Sequence, residues 1–327
     1  MRIGLIGPGI IPIPPNGWGA VEILIWDYYN ELKRLGHDVH IINQIRLHEY
    51  DQLTSDTPYS QILIQKINSF NFDFVHLHYD CLYHILEFIN AKAIAITSHY
   101  PYIDQLDKHQ ADNYTQIFNF LINQDRFYNI TIAEKDYNTF ILNGANKSKL
   151  LNIRNGITSS YFKYNEYPVL DLTIYLGNIT SRKNQYRYQS INTIDFVGSC
   201  TDINFNTEIP NYLGEWTREQ IHDQLTNYTN LLLISNGEAD PLVIKEALVA
   251  GLGIVINESA AANLISKDFI SIIPNDKIDD LSYIKNMIEH NKQVSKDKRD
   301  EIRKYGILNF DINVICRSYI DIITTII

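Results

Sequence analysis

Cysteine is scarce in this 327-residue chain: Cys81, Cys200 and Cys316 are the whole set. Three residues so far apart have neither the pairing of a disulfide framework nor the close spacing of a metal site, which fits a reducing compartment and three small buried hydrophobes. Long apolar runs are missing too. None approaches the ~20 residues of a membrane-spanning helix, and the chain opens on a strand-like pattern instead of a signal peptide, so a cytoplasmic location is expected. Basic residues are outnumbered, 28 Lys and Arg against 38 Asp and Glu, for a formal net charge of -10. That balance excludes a general nucleic-acid binder, which needs a basic footprint, while leaving room for a local basic pocket. No Asp-x-Asp pair occurs, and the first loop is too long and proline-rich to be a G-x-G-x-x-G dinucleotide turn.

What is present is an ordinary globular composition, 45% hydrophobic and 20% charged, at a length that suits two domains of about 150 residues each. Residues 2–6 read as a buried strand, 20–35 as a helix ended by Gly36, and 38–42 as the next strand, a Rossmann-like opening. Strand patterns recur at 74–78, 93–97, 129–133 and 149–153, with a helix at 134–142. After a linker over 157–170, strands are predicted at 172–176, 193–197, 231–234, 254–256 and 270–274, with helices at 221–225, 279–290, 295–305 and 312–326.

The most informative stretch is 236–258, NGEADPLVIKEALVAGLGIVINE, which reads loop, helix, strand after the apolar run Leu231 to Ile234. Pro241 is expected in the first turn of its helix, and Gly251 and Gly253 close the other end. Glu238 lies in the loop at the carboxyl end of the preceding strand. Glu246 lies eight residues on, flanked by Val243, Ile244, Ala247 and Leu248, where a half-buried carboxylate needs partners. Parallel α/β sheets bind ligands beyond the carboxyl ends of their strands. A carboxylate there can accept two vicinal hydroxyls, and the amides of Ala239 and Asp240 sit at the positive end of the helix. An ordinary loop acid and a solvated helix residue are the alternative.

These residues resemble the E-x7-E signature of family 4 retaining glycosyltransferases with the GT-B fold: Glu238, Pro241, Glu246, Ala247, Ala250 and Gly251 match in order. The resemblance implies two Rossmann-like α/β domains with parallel sheets facing a central cleft. An acceptor-side domain would span 1–157, joined by a C-terminal helix at 308–327, and a nucleotide-sugar-binding domain would span 158–307. Further segments carry it. Gly17, Gly19 and Glu22 resemble a P-x-x-G-G-x-E loop on the donor side, with Trp18 splitting the glycines; a proline-stiffened surface loop is the alternative. His76 and His78 resemble a D-x-V-H-x-H strand on the acceptor side. No Asp, Glu or Cys pattern nearby completes a zinc set, and purely structural histidines are the other reading. His99 resembles a T-x-H position beside the transferred sugar, and Arg154-Asn155-Gly156-Ile157 a turn at the end of the first domain, with Thr158 in place of Asp.

Residues 177–184 resemble the G-R-L-x-x-x-K-G element that holds the donor diphosphate. Lys183 falls on the Lys position, Asn178 stands where the Arg would, and the adjacent Arg182 can supply the guanidinium. A solvated basic turn is the alternative. The short stretch between Lys183 and the next strand implies a trimmed domain, and Tyr212-Leu213-Gly214 resembles the F-L-G segment beside the nucleotide base.

The activity implied is transfer of a sugar from a UDP- or GDP-linked donor to a glycan or other hydroxyl acceptor, with retention and without metal or cofactor. His99, Lys183 and Glu238 would act at the reacting centre. The donor would also meet Asn178, Arg182, Gly214, Ala239, Asp240, Pro241, Leu242 and Glu246. Trp18 joins the two histidines on the acceptor side. A catalytically inactive sugar-nucleotide or glycan-binding module and a GT-B nucleotide-sugar epimerase are the rival readings. No basic amphipathic helix that would bind a membrane surface stands out.

Overall fold

In the computed structural model, which describes residues 1–46 and 54–327, every paired strand runs parallel to its neighbours. The chain divides into two units, one of Met1–Pro15, Gly19–Asn155 and Ile312–Ile327, the other of Asn16–Trp18 and Gly156–Asp311.

The sheet of the first unit holds β1 (Arg2–Ile6), β2 (Asp38–Ile42), β3 (Phe72–Leu77), β4 (Ala91–Thr97), β5 (Tyr128–Thr131) and β6 (Leu150–Asn152) in the order β2-β1-β3-β4-β5-β6. Its strands are apolar on both faces because helices cover both. On one side α1 (Ala20–Arg34) buries Leu24, Ile25, Tyr28 and Leu32 with Ile3, Leu5 and Phe74; on the other α2 (Pro58–Asn68) buries Leu63 and Ile67 with Ile6, Val75 and Leu77. Each such fully buried aliphatic side chain contributes about 1.5–3 kcal/mol. Three more helices of this unit are α3 (Leu106–Ala111), α4 (Thr115–Asn123) and α5 (Glu134–Leu142). Gly19 caps α1 at φ 130, where a Cβ would come within 2.6 Å of Ile11 Cδ1 and 3.0 Å of Glu22 Oε2, so only glycine fits. Because β2 and β3 flank β1 on opposite sides, the topological switch point lies between β1 and β3.

The second unit orders β7 (Thr173–Leu176), β8 (Ile194–Val197), β9 (Asn230–Leu233), β10 (Gly253–Asn257) and β11 (Ile270–Ile273) as β11-β10-β9-β7-β8, which puts its switch point between β7 and β9. Only a 3₁₀ turn (Ser181–Lys183) and one α-helical turn, α6 (Gln185–Tyr188), lie between β7 and β8. The remaining helices are α7 (Arg218–Gln224), α8 (Leu242–Val249), α9 (Leu281–Asp297) and α10 (Arg299–Phe310). Helix α8 is buried on nearly every side, Lys245 and Glu246 included, so both charges must find partners within the unit. The last helix, α11 (Ile312–Thr324), packs Ile315, Cys316, Tyr319 and Ile323 at helical spacing into the core of the first unit beside Leu24 and Tyr28.

The strands fall where the apolar runs predict them, within a residue or two. Four details differ. The helix expected at 295–305 is α10, Arg299–Phe310, set apart from α9 at Lys298. Pro241 is the N-cap of α8, extended at ψ 124, and not a member of its first turn. His78 lies one residue beyond β3. Helix α9 runs past position 290 to Asp297, and its inward residues there are polar and so outside the apolar pattern: Asn291 donates to Phe269 O at 3.0 Å and Ser295 to Thr229 O at 2.6 Å. Helix α2 has a start signal in Thr57-Pro58, whose threonine hydroxyl accepts from Ser60 N at 3.3 Å.

Candidate functional site

In the second unit the loops after β7 and β9 leave the sheet beside each other at the switch point. The first carries Arg182 and Lys183, the second Glu238. Arg182 Nη1 lies 2.8 Å from Glu238 Oε1 and donates to the carbonyl of Gly237, so its guanidinium is fastened to the opposite loop. Lys183 is held differently. Its Nζ stands 4.0 Å from the same carboxylate oxygen, its side chain is only 15% exposed, and no hydrogen bond joins that nitrogen to a described residue. Burial pushes its pKa down, Glu238 and Glu246 pull it up, and Arg182 pushes it down again. The ammonium fits beneath Gly177, where a Cβ would come 2.8 Å from Nζ at φ +140.

These loops are stitched together by groups away from the charges. The buried Tyr175 hydroxyl bonds the carbonyl of Lys183 and accepts from Ile234 N at 2.8 Å. Asn236 N donates to Arg182 O at 2.8 Å, Asn184 Nδ2 to Asn236 Oδ1 at 2.9 Å, and Asn257 Nδ2 to Ser235 O at 2.9 Å. Asn178 has its amide oxygen occupied by Ser199 Oγ at 3.1 Å, and Gln185 donates to its carbonyl at 3.0 Å. Gly214 sits at φ 71, its carbonyl accepting from Gly198 N at 2.8 Å.

Of the residues around the start of α8, Ala239 and Leu242 are buried. Asp240 forms a buried pair with Lys245, 2.5 Å apart. Glu246 is also paired: Arg218 Nη2 lies 2.8 Å from its Oε1, with the carboxylate side chain 5% exposed. Arg218 stands in the first turn of α7, next to His222 at 3.3 Å, whose pKa is lowered to about 4 by burial first and by Arg218 second. Arg218, Lys245 and Tyr175 were not legible as site residues. Arg218 alone had a signal, because the capping box Thr217-x-x-Gln220 fixes it in a helix's first turn, where a cation opposes the helix dipole.

The first unit presents imidazoles. The rings of His76 and His78 lie tilted by 36° with centroids 3.8 Å apart, and that of His99, after β4, lies 6.2 Å from His78. His76 is fully engaged, Nε2 with Thr97 Oγ1 at 2.7 Å and Nδ1 with Tyr319 OH at 3.1 Å. His78 is 1% exposed and neither ring nitrogen has a hydrogen-bond partner; His99 Nε2 has none either. Burial lowers all three pKa values, to about 3 for His76 and about 4 for His99. Among the described residues no group of three or more His, Cys, Asp or Glu side chains could hold a metal ion. Glu22, 5% exposed behind Gly19, has its pKa raised by the same desolvation. Trp18, half exposed, and Gly17 belong with the second unit, and Gly19 with the first.

Among the described residues no helix is long and apolar enough to cross a membrane. No protein-family model matches the sequence, and no curated protein matches it. Solved structures do match in fold. Anabaena HepE in complex with UDP-glucose aligns over 99% of this chain and 100% of its own at TM-score 0.72 and 13% identity. Sucrose-phosphate synthase from Thermosynechococcus elongatus aligns over 99% and 98% at 0.69 and 13%. A glycosyltransferase involved in avilamycin A biosynthesis aligns over 98% and 96% at 0.68 and 13%. The two parallel-sheet α/β units thus have the fold of GT-B glycosyltransferases.

Proposed function

We propose that this chain is a glycosyltransferase that moves a sugar from a nucleotide-diphosphate donor to a glycan or other hydroxyl acceptor, with retention and without metal or cofactor. The observation that carries the reading is Lys183: a buried ammonium with its donors unspent, at the switch point of a parallel sheet, beside one carboxylate. Such a group suits the oxygens of a diphosphate. The likeness in fold to HepE, solved with UDP-glucose, supports a UDP-linked donor first and a GDP-linked one second.

In this reading the bond from the anomeric carbon to the diphosphate breaks and the acceptor oxygen bonds to that carbon on the same face. The acceptor's proton passes to the departing phosphate, so no general base is required. Lys183 stabilises the charge that develops on the leaving group. Glu238, fixed by Arg182, orients the donor sugar, and Glu246 accepts from the ribose hydroxyls. His99 meets the transferred sugar, and His78 serves the acceptor with the fully bonded His76 supporting it from behind.

A second reading, an inactive sugar-nucleotide-binding module, is favoured by two facts: asparagine stands at position 178, and Arg182 is committed to Glu238. Thermal-shift measurements with UDP, GDP, ADP and their sugar conjugates, in chelator, followed by donor turnover, separate the two. Binding with turnover supports the transferase, binding without turnover the module, and no shift overturns both.

A further inference from the structure

The pair formed by Arg218 and Glu246 has the marks of a site and not of a stabilising contact. A buried ion pair is a weak source of stability, since desolvation offsets the attraction. This one is built at a further cost, because Arg218 occupies the first turn of α7, where the helix dipole disfavours a cation. Arg218 takes Oε1 of Glu246 at 2.8 Å, and among the described residues no other side chain is bonded to that carboxylate. Oε2 therefore keeps its acceptor capacity in a buried setting. Its charge reaches Lys183, whose pKa it raises, so the carboxylate and the ammonium share one region of the second unit.

We propose that Arg218 is a positioning residue: by holding Oε1 of Glu246 it turns Oε2 toward the vicinal hydroxyls of a bound nucleoside diphosphate and sets the preference for ribose over deoxyribose. This rests on the donor-binding reading above. One guanidinium nitrogen, Nη2, meets one carboxylate oxygen, which leaves the other oxygen to a ligand. A hydroxyl donating to a carboxylate so fixed is a charge-assisted hydrogen bond.

The test measures affinities of the full chain for UDP, GDP and ADP, each beside its 2′-deoxy form, in wild type and in Arg218→Lys, Arg218→Met and Glu246→Gln. Wild type is expected to prefer the ribose form by about ten- to a hundredfold, the range for a hydrogen bond to a charged group. Arg218→Met and Glu246→Gln should bring that ratio close to one by weakening the ribose form more than the 2′-deoxy form, and Arg218→Lys should restore part of it. Should Arg218→Met not fold, Arg218→Lys decides, since it keeps the charge and changes the reach and shape of the group that holds Oε1. A ratio unchanged in folded Arg218 variants, or equal weakening of both forms, overturns the proposal while the donor-binding reading stands. No binding of any nucleoside diphosphate by wild type overturns both.

Discussion

At the carboxyl ends of β3 and β4 the first unit gathers three imidazoles that burial keeps neutral, and two of them lack hydrogen-bond partners. At the equivalent ends of β7 and β9 the second unit gathers Arg182 and Lys183 against Glu238, and it also holds the pairs Asp240–Lys245 and Arg218–Glu246. Both units are parallel sheets covered by helices, so architecture alone does not set the chemistry of the strand ends. The difference shows two ways of burying polar groups. One discharges them, which suits neutral hydroxyl ligands, and the other pairs them around one spare cation, which suits an anion.

The contrast is most easily broken through stability. Replacing Asp240 with Ala removes the carboxylate 2.5 Å from a buried ammonium and should destabilise the protein by about 3–5 kcal/mol in chemical denaturation. The matching change in the first unit, His78→Phe, removes unsatisfied nitrogens and should cost nothing or stabilise by about 1 kcal/mol. Comparable losses would erase the distinction. Next in size, Lys183→Ala should lower donor turnover by about 100-fold with folding intact, as for a lost charge-stabilising donor; a kinetic assay on the folded variant checks this.

A third effect is pH-dependent. His76 and His99 have folded pKa values of about 3 and about 4, lowered by burial from an ordinary 6.5. Below 6.5 the unfolded chain binds protons that the folded chain refuses, so stability falls as pH drops from about 6.5 toward 4. Each histidine contributes at most about 1.4 kcal/mol per pH unit. Unfolding midpoints at pH 5 and 7 should therefore differ, and His78→Phe should reduce the difference; a pH-independent midpoint would remove the neutral-imidazole account. Smallest of all, excess chelator should leave turnover unchanged, whereas loss of activity restored by a divalent ion would contradict the metal-free reading.

Much of this was legible because it is written locally. Buried parallel strands are continuous apolar runs, and residues 231–256 announce strand, helix and strand through Pro241 and Gly251. Glu246 could be recognised as a carboxylate in need of a partner, but not which partner. Arg218 is 28 positions away and meets it through a side-chain contact that the fold alone supplies. Tyr175, tying two loops from the middle of a strand pattern, reads in sequence as one more core aromatic. The apolar period of helix α9 stops near 290 because Asn291, Lys292 and Ser295 turn inward to bond other parts of the unit, and inward polar residues erase that period. Long-range polar pairing is what a one-dimensional pattern does not carry.

The central claim is that Lys183 is the spare cation of a donor-diphosphate site. Isothermal titration of UDP into wild type and Lys183→Ala, in chelator, tests it most directly. The account predicts saturable binding by wild type and binding at least about tenfold weaker in the folded variant, the loss of one charge-assisted contact. Equal affinity in the two proteins would contradict it.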